Sequence, residues 1–362
     1  MSAQAIFRAD GSKIIGMGHL NRVALVAEML SKRFAFKSKL VMKKDPDAET
    51  LMRRKGVETI ALPQSASYID EIKMIKEAAG AGRPSLIVLD VLEQDRDIAF
   101  TGSLRKFGCP IIAVTDDSNK RTIDADIIVN GNPNQVGQDY TAERGKYLLG
   151  PMYFIMDPQY GDDAVRSVNK SPDKDAKKIV LTFGGSDQNN LLFRVLDVLN
   201  KMKKRDIHVL IAVSQASGYV ERLKKYTGQM GMTNRLVVDA DCLAPYWRQC
   251  DLAITGGGNT LFERIAANLP GATLCQCDRQ MEIADRFESL GVNINLGMGA
   301  KMSDGVLAER LGGFIDNEEL QYQQRKRSPE ITDGKGLSRL GDAIETLLEG
   351  HTDELRSSDK KR

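Results

Sequence analysis

The chain lacks an excess of charge of either sign. Its 51 lysines and arginines nearly balance 49 aspartates and glutamates, which leaves a formal net charge of +2 over 362 residues. A protein that gathers nucleic acid or an anionic membrane through its overall field needs a strong basic balance, so neither partner is expected. Specificity must therefore come from a local site.

Long apolar runs are also missing. No segment is long and apolar enough to span a bilayer, and residues 1–8 lack the charged start and continuous apolar stretch of a secretion signal. These absences argue against membrane insertion and predict a cytoplasmic protein.

Cysteine and histidine are scarce. The five cysteines contain none of the paired C-x-x-C motifs of a structural zinc site, and Cys275 and Cys277 alternate along an apolar segment, which predicts burial as small hydrophobic side chains. Of the three histidines, His208 lies in an apolar run and His351 in a polar C-terminal stretch. His19 is thus the histidine that the sequence places at a candidate site.

Metal-binding patterns are weak. The pairs Asp124/Asp126 and Asp239/Asp241 have the D-x-D spacing that holds a divalent ion in some sugar transferases. Both pairs flank predicted strands, so they are interpreted as strand ends. We expect no metal site and no cofactor.

What the sequence does contain is an alternation of apolar strand patterns with amphipathic helical ones. Its 362 residues and 42% hydrophobic content suffice for two domains of ordinary size. Strand patterns lie at 5–8, 38–42, 59–62, 85–91 and 110–115 in the first half, and at 178–183, 207–213, 236–238, 252–255, 272–275 and 292–296 in the second. Such strands, separated by helices, predict parallel sheets buried on both faces.

The predicted fold class is therefore α/β, with two Rossmann-like doubly wound domains. The first domain is predicted over residues 1–160 and the second over 177–335, joined by a polar linker at 161–176 that contains a Ser171-Pro172 break. A C-terminal helix is predicted at 336–350, and the polar residues 351–362 are expected to be frayed.

The first chemical signal is a glycine turn between the first predicted strand and the first helix. Gly16 and Gly18 let the backbone turn tightly and let a ligand approach the helix N-terminus, whose unpaired N–H groups favour negative charge. His19 follows directly and is a candidate general base, because imidazole titrates near neutral pH. A capping or packing role for His19 is the alternative interpretation. The third glycine of a dinucleotide-binding turn is absent, so NAD binding is not predicted.

A second glycine turn follows the first strand of the second domain. Gly185, Ser186 and Asp187 lie at the carboxyl edge of that strand, where doubly wound folds bind ligands, and are candidate substrate contacts. Capping of the next helix by Ser186 or Asp187 explains the pattern equally well.

The third signal is a run of three glycines directly before a helix. Without Cβ atoms in the way, successive N–H groups can bind a phosphate or diphosphate, and the residues assigned to that role are Gly256, Gly257, Gly258, Asn259 and Thr260. Glu263 follows one turn into the helix, where its carboxylate can accept hydrogen bonds from ribose hydroxyls. Its alternative role is a favourable charge in the first helical turn.

Taken in order along the chain, these motifs resemble the GT-B nucleotide-sugar enzymes, in which two Rossmann-like domains face each other across a cleft. They are similar in particular to the pseudaminic-acid-pathway UDP-sugar hydrolases and the related spore-coat polysaccharide proteins of the SpsG type. The resemblance covers nearly the whole chain and is carried by segments 7–11, 16–22, 149–153, 183–187, 256–263 with Pro270, and 280–284 before Leu290-Gly291.

The resemblance implies roles for several residues. It makes His19 the base that activates water against the anomeric carbon, which gives C–O cleavage with inversion. It makes the glycine loop the diphosphate site, Glu263 the ribose contact, and the segment around Gln280 the part that faces the sugar. Further residues expected near the substrate are Asp10, Gly16, Gly18 and Arg22.

The function expected from these features is hydrolysis of a UDP-linked acetamido-deoxy sugar in surface-glycan synthesis of the nonulosonic acid type. The alternative is a metal-independent GT-B glycosyltransferase in polysaccharide or flagellin glycan synthesis, since a hydroxyl can replace water in the same site. A 2-epimerase needs carboxylates and cations around the sugar that the sequence does not supply. A non-catalytic sugar-nucleotide sensor stays open, because fold alone does not exclude it. The expected partner is a UDP-sugar, and the expected state is a monomer or weak homodimer.

Overall fold

The structure is a computed structural model that describes residues 3–12, 15–80, 82–91, 98–116, 123–135, 145–166, 176–184, 187, 189–202 and 207–359. The chain forms two compact units. The N-terminal unit consists of Met1–Met156 together with Gly336–Arg362, and the C-terminal unit consists of Asp157–Lys335. The linker predicted at 161–176 falls within the C-terminal unit, and its residues 167–175 lie outside the described part of the chain.

The N-terminal unit contains, within its described residues, a parallel sheet of seven strands. In chain order they are β1 (Gln4–Ala9), β2 (Lys37–Lys43), β3 (Glu58–Leu62), β4 (Leu86–Asp90), β5 (Ile111–Val114), β6 (Ile127–Asn130) and β7 (Lys146–Leu149). They lie in the order β3-β2-β1-β4-β5-β6-β7. The order reverses between β1 and β4, and doubly wound sheets bind ligands beyond the carboxyl ends of the strands at such a point.

Both faces of this sheet are buried. Phe7 and Leu40 belong to one apolar cluster, whereas the alternate residues Ile6 and Val41 belong to another. Successive side chains of a strand point to opposite faces, so helices must cover the sheet on both sides. This explains why the strands appear in the sequence as continuous apolar runs.

The C-terminal unit repeats the plan with six described parallel strands. They are β8 (Lys177–Thr182), β9 (Ile207–Val213), β10 (Asn234–Val238), β11 (Leu252–Thr255), β12 (Gly271–Cys275) and β13 (Ile294–Met298), in the order β10-β9-β8-β11-β12-β13. The order reverses between β8 and β11. The predicted α/β class with two Rossmann-like domains is confirmed.

Thirteen α-helices accompany the sheets within the described residues. They are α1 (Gly18–Phe34), α2 (Pro46–Arg54), α3 (Tyr68–Ala79), α4 (Ile98–Leu104), α5 (Asp163–Arg166), α6 (Leu191–Lys201), α7 (Val220–Thr227), α8 (Ala244–Trp247), α9 (Asn259–Ala266), α10 (Asp278–Ser289), α11 (Asp304–Asp316), α12 (Glu318–Ile331) and α13 (Gly336–Asp359). The first four and the last belong to the N-terminal unit. None of the described helices combines the length and apolar composition needed to cross a membrane.

Local sequence explains where several helices begin. Asp45 caps α2 and is followed by Pro46 at the first helical position. Ser67 and Asp70 form a capping box at the start of α3. In contrast, α1 begins at Gly18 without a side-chain cap, so its first backbone amides have no side-chain acceptor.

The last helix belongs to the core of the N-terminal unit. Leu340 and Ile344 are fully buried in the same cluster as the apolar face of α1. Arg33 of α1 pairs with Asp342 of α13 at 2.7 Å. The helix predicted at 336–350 therefore packs on the first domain, and it continues to Asp359 instead of ending at residue 350.

One expectation about the cysteines is wrong. Cys275 is buried at the end of β12, as predicted, but Cys277 is exposed. The strand ends before Cys277, which instead precedes the first residue of α10.

Candidate functional site

In the N-terminal unit, the imidazole of His19 lies against a carboxylate at the end of β4. His19 Nδ1 is 2.7 Å from Asp90 Oδ1. His19 is the second residue of α1, which follows β1, and β1 and β4 are neighbours, so the reversal in strand order brings the two residues together. The His19 side chain is 11% exposed and that of Asp90 only 3%. His19, just after the glycine turn, therefore contacts a buried acid.

The contacts of Asp90 indicate which imidazole nitrogen can act as a base. A carboxylate accepts hydrogen bonds and does not donate them, so the 2.7 Å contact places the proton on Nδ1. Arg22 Nη2 is also 3.0 Å from Nδ1, but its shorter bond, of 2.6 Å, goes to Asp90 Oδ1. In the neutral imidazole the lone pair is then on His19 Nε2, which has no partner among the described residues.

Arg22 connects Asp90 to a second carboxylate. Its Nε and Nη2 donate to the two oxygens of Asp90 at 2.7 and 2.6 Å, and its Nη1 and Nη2 donate to those of Asp116 at 2.7 and 3.0 Å. Burial alone would lower the pKa of Arg22, but the charges of Asp116 and Asp90 and their hydrogen bonds raise it well above its usual value. Paired forks of this kind hold Asp90 in one geometry.

The glycines of this turn shape the approach to His19. Gly16 has a φ of +83° and exchanges backbone hydrogen bonds with Ser12. Its left-handed conformation, which glycine adopts readily, closes the turn. Gly18 forms the first position of α1. Gly16 therefore forms the turn that leads into the helix carrying His19.

Asp10, expected near the substrate, makes contacts within the sheet. It accepts a hydrogen bond from Arg8 Nη2 at 2.8 Å and another from the backbone N–H of Lys43 at 2.8 Å. Arg8 is itself buried and pairs with Glu71 at 2.9 Å. Asp10 thus joins the carboxyl ends of β1 and β2.

In the C-terminal unit, the three glycines after β11 have different roles. The amide of Gly256 donates to the carbonyl of Thr182 at 3.0 Å and extends the sheet. A Cβ on Gly257 would lie 2.7 Å from the Cβ of Gln280, so packing requires glycine there. A Cβ on Gly258 would meet no atom within 4 Å. Gly257 therefore makes room for Gln280, and the space beside Gly258 is open.

Gln280, expected to face the sugar, also holds the glycine loop. Its Oε1 accepts the backbone amide of Gly257 at 3.2 Å and that of Gln276 at 2.9 Å. The expectation that all the amides of the glycine run are available to a phosphate is therefore wrong for Gly256 and Gly257, because both already have acceptors in the protein.

Backbone amides at the start of α9 remain available for an anion. Those of Gly258, Asn259 and Thr260 donate to no acceptor among the described residues. Gly258 and Asn259 are exposed, and α9 has no side-chain cap. Parallel amides at a helix start attract negative charge.

Glu263, in the same helix, has a perturbed carboxyl group. The Tyr160 hydroxyl donates to Glu263 Oε2 at 3.0 Å. Burial raises the pKa of Glu263 to about 7, the Tyr160 hydrogen bond opposes that rise, and the charge of Asp157 adds to it. Glu263 is half-buried, so part of the residue still reaches water.

Asp187 has the contacts of a helix cap. Its two carboxylate oxygens accept the amides of Leu191 and Leu192, each at 2.8 Å, at the start of α6. Burial raises the pKa of this carboxyl group, and the two amide bonds oppose the rise. Gly185 and Ser186 lie outside the described residues, so only Asp187 of this turn can be placed.

Comparison with known proteins gives a consistent picture. No protein-family model matches the chain. The spore coat polysaccharide biosynthesis protein SpsG of Bacillus subtilis (strain 168) is 24% identical over 347 residues, which cover 94% of this chain and 97% of SpsG. MurG of Acinetobacter baumannii has a TM-score of 0.69 at 13% identity, over 95% of this chain and 99% of MurG. The spinosyn rhamnosyltransferase SpnG, complexed with thymidine diphosphate, has a TM-score of 0.64 at 13% identity, over 95% and 99% of the two chains.

The chain is similar to SpsG over nearly its whole length and has a GT-B fold. The resemblance expected from the motifs, to spore-coat polysaccharide proteins of the SpsG type, is thereby confirmed.

The D-x-D pairs make structural contacts. Arg105 donates to Asp124 at 2.9 Å and to Asp126 at 2.6 Å. Asp239 accepts the amide of Gln215 at 2.8 Å. No group of three or more histidines, cysteines, aspartates or glutamates that could hold a metal ion occurs in the described ranges.

Three residues of the two candidate sites, one in each unit, were given no role from the sequence: Asp90, Asp116 and Tyr160. Asp90 ends β4 and Asp116 follows β5 closely, so an acid at the carboxyl end of an apolar strand is the signal that could have found them. Tyr160 lies in a short 3-10 turn with no distinguishing pattern. The structure brings Asp90 and Asp116 to His19 and Arg22, and Tyr160 to Glu263.

Proposed function

We propose that this SpsG-like protein is a metal-independent glycosyltransferase that uses a UDP-linked sugar. The observation that carries the proposal is the His19–Asp90 pair, because a buried carboxylate on Nδ1 leaves Nε2 to take a proton. The fold neighbours support transfer over hydrolysis, since SpnG is a rhamnosyltransferase. The name of SpsG supports a role in polysaccharide biosynthesis.

In the proposed reaction, His19 Nε2 accepts the proton of an acceptor hydroxyl. The hydroxyl oxygen forms a bond to the anomeric carbon of the sugar. The bond from that carbon to the phosphate oxygen breaks, and the nucleoside diphosphate leaves with the electron pair. Attack opposite the leaving group inverts the anomeric centre.

The buried network around His19 fits this role. Asp90 keeps the proton on Nδ1 and stabilises the positive charge that His19 gains, and Arg22 fixes Asp90 through two hydrogen bonds. A positioned base of this kind contributes about 10²–10⁴-fold to the rate. Contacts of Asp10, Gly16, Gly18 and Arg22 with the substrate stay predictions.

The start of α9 is proposed as the diphosphate site. The amides of Gly258, Asn259 and Thr260, at the positive end of the helix, would stabilise the charge of the leaving group without a metal. Glu263 would accept hydrogen bonds from the ribose hydroxyls. Because Gln280 Oε1 already accepts two backbone amides, its Nε2 is the group left to donate to the sugar or a phosphate.

An acceptor test distinguishes transfer from hydrolysis. The protein would be incubated with UDP-, dTDP-, GDP- and CMP-sugars, with and without a set of mono- and oligosaccharide acceptors, and products would be followed by anomer-resolved proton NMR. The proposal expects a donor that is stable alone and consumed with inversion when an acceptor is added.

Two other results would contradict the proposal. Prompt release of free sugar from a UDP-sugar without any acceptor would identify a hydrolase, with water in the acceptor position. Tight UDP binding with no product from any donor and acceptor would identify a non-catalytic sugar-nucleotide sensor.

A further inference from the structure

A buried tyrosine lies behind the proposed ribose carboxylate. Tyr160 is 2% exposed, and its hydroxyl donates to Glu263 Oε2 at 3.0 Å. The indole Nε1 of Trp247 lies 3.4 Å from the same hydroxyl oxygen. An indole N–H can only donate, so the hydroxyl accepts from Trp247. Its own proton is directed to the Glu263 carboxylate, a stronger acceptor than the sulfur of Cys242, which also hydrogen-bonds with this hydroxyl. The three side chains form a hydrogen-bond relay with a defined direction.

The backbone of Tyr160 is held where the chain enters and leaves the C-terminal unit. Tyr160 follows the entry at Asp157 closely, and Gly334 precedes the exit at Lys335. Gly334 has a φ of +75°, and a Cβ on it would lie 2.6 Å from both Gly161 N and Tyr160 C. The two chain segments therefore pack backbone to backbone, and this packing fixes the backbone of Tyr160.

We propose that Tyr160 is a positioning residue for nucleotide binding, whose hydroxyl donates to Glu263 and so holds its carboxylate in the ionised form that accepts the ribose hydroxyls. The inference rests on the proposed function, in which Glu263 is the ribose contact. Tyr160 does not touch the nucleotide in this scheme and acts through Glu263.

Of the three contacting groups Glu263, Tyr160 and Cys242, Glu263 is the one whose pKa lies near neutrality. Burial and the charge of Glu263 raise the pKa of Tyr160 well above its usual value, and burial raises the pKa of Cys242 to about 11, so both keep their protons. Asp157 contributes a negative charge that opposes ionisation of Glu263. Helix α12 also packs against α9, but none of its described charged residues acts on Glu263.

Removing the hydroxyl in Tyr160→Phe should raise the pKa of Glu263. The hydrogen bond from Tyr160 lowers the pKa of Glu263, whereas burial and Asp157 raise it to about 7 overall. Without the hydroxyl, the pKa of Glu263 rises further, and more of the carboxyl is protonated at neutral pH. A protonated carboxyl is a weaker acceptor for ribose, so affinity is lost near neutral pH and recovered in alkaline solution.

The experiment compares UDP with 2′,3′-dideoxy-UDP by calorimetric titration over a range of pH. The dissociation constant of 2′,3′-dideoxy-UDP divided by that of UDP isolates the ribose contribution, because ionisation of the diphosphate affects both ligands alike. We expect the wild-type ratio to increase through about pH 7, as Glu263 ionises. In Tyr160→Phe the ratio should be about three- to tenfold lower than wild type at neutral pH and equal to it at about pH 9.

Two further variants complete the test. Glu263→Gln should give a low ratio at every pH. Tyr226→Phe is the matched control, because its hydroxyl faces a different carboxylate, Asp197, at 3.5 Å, and it should behave as wild type. Trp247 is the sole tryptophan of the sequence, so its fluorescence also reports the titration of Glu263 in the unliganded wild-type protein, with no inflection expected near neutrality in Glu263→Gln.

The possible failures are distinguishable. If the wild type does not discriminate between the two nucleotides, the ribose assignment of the proposed function fails and the inference falls with it. If the wild type discriminates but Tyr160→Phe shows the wild-type ratio at all pH values, or a loss that does not vary with pH, the positioning role of Tyr160 alone is overturned.

Discussion

Gln280 Oε1 accepts the amide of Gly257 at 3.2 Å, and the Gln280 Cβ fills the space that a Cβ on Gly257 would need. The neighbouring Gly258 faces open space instead. The protein's own packing therefore requires Gly257, whereas at Gly258 only the proposed ligand calls for a missing Cβ. The same substitution at the two positions must have different effects.

Gly257→Ala should lower stability by about 1–3 kcal/mol, because the added Cβ overpacks against Gln280. Gly258→Ala should change stability by less than about 0.5 kcal/mol and yet weaken UDP binding, since its Cβ projects into the proposed phosphate position. Thermal unfolding and calorimetric titration with UDP measure the two effects. Unchanged UDP affinity in Gly258→Ala would contradict the placement of the diphosphate at α9.

His19→Ala should reduce kcat by about 10²–10⁴-fold, because the variant loses the group that takes the acceptor proton. The dissociation constant of UDP should stay close to wild type, since the diphosphate is assigned to other residues. Steady-state kinetics with the donor and acceptor found in the product screen measure the loss. His208→Gln, in β9 of the C-terminal unit, is the control and should keep its turnover. Full turnover in His19→Ala would remove the proposed base.

Asp90→Asn should be more damaging than Asp116→Asn. Asp90 is 3% exposed and contacts both His19 and Arg22, whereas Asp116 is 23% exposed and contacts Arg22. We expect Asp90→Asn to lose about 1.5–3 kcal/mol of stability, through its charged hydrogen bonds, and most of its turnover, through the disturbed tautomer of His19. Asp116→Asn should lose less than about 1 kcal/mol and retain turnover. Equal kcat values in the two variants would show that the His19–Asp90 contact does not matter for catalysis.

Glu263 should make the stability of the protein depend on pH. Its pKa is about 7 in the folded protein against an ordinary value of 4.5, so between these values the folded state keeps a proton that the unfolded state has released. Stability must therefore fall as pH rises through this interval, and Glu263→Gln removes that contribution. The stability of the variant relative to wild type should increase from about pH 5 to about pH 8, by at most about 3 kcal/mol. Paired unfolding curves at several pH values test this, and a pH-independent difference would show that burial does not perturb Glu263.

Features encoded by neighbouring residues could be predicted from the sequence. The alternation of apolar strands and amphipathic helices gave the two doubly wound sheets, because burial on both faces requires continuous apolar strands. The turn with Gly16 and Gly18 before His19, and the glycine run before Glu263, are also local, since they depend on missing Cβ atoms at consecutive positions. The last helix was predicted from its own periodicity, but its packing against α1 was not.

Contacts between distant residues depended on strand order, which no local pattern contains. His19 meets Asp90 across 71 positions because β4 pairs with β1, and Tyr160 meets Glu263 across 103 positions because the entry segment of the C-terminal unit packs on α9. Propensity and periodicity act over a few residues, whereas the order of strands follows from the combined burial of all of them. The amino-acid sequence thus identified the candidate base, His19, and the candidate phosphate loop. The tertiary structure supplied Asp90, the buried acid that orients His19, and the backbone contacts by which Gln280 holds the loop.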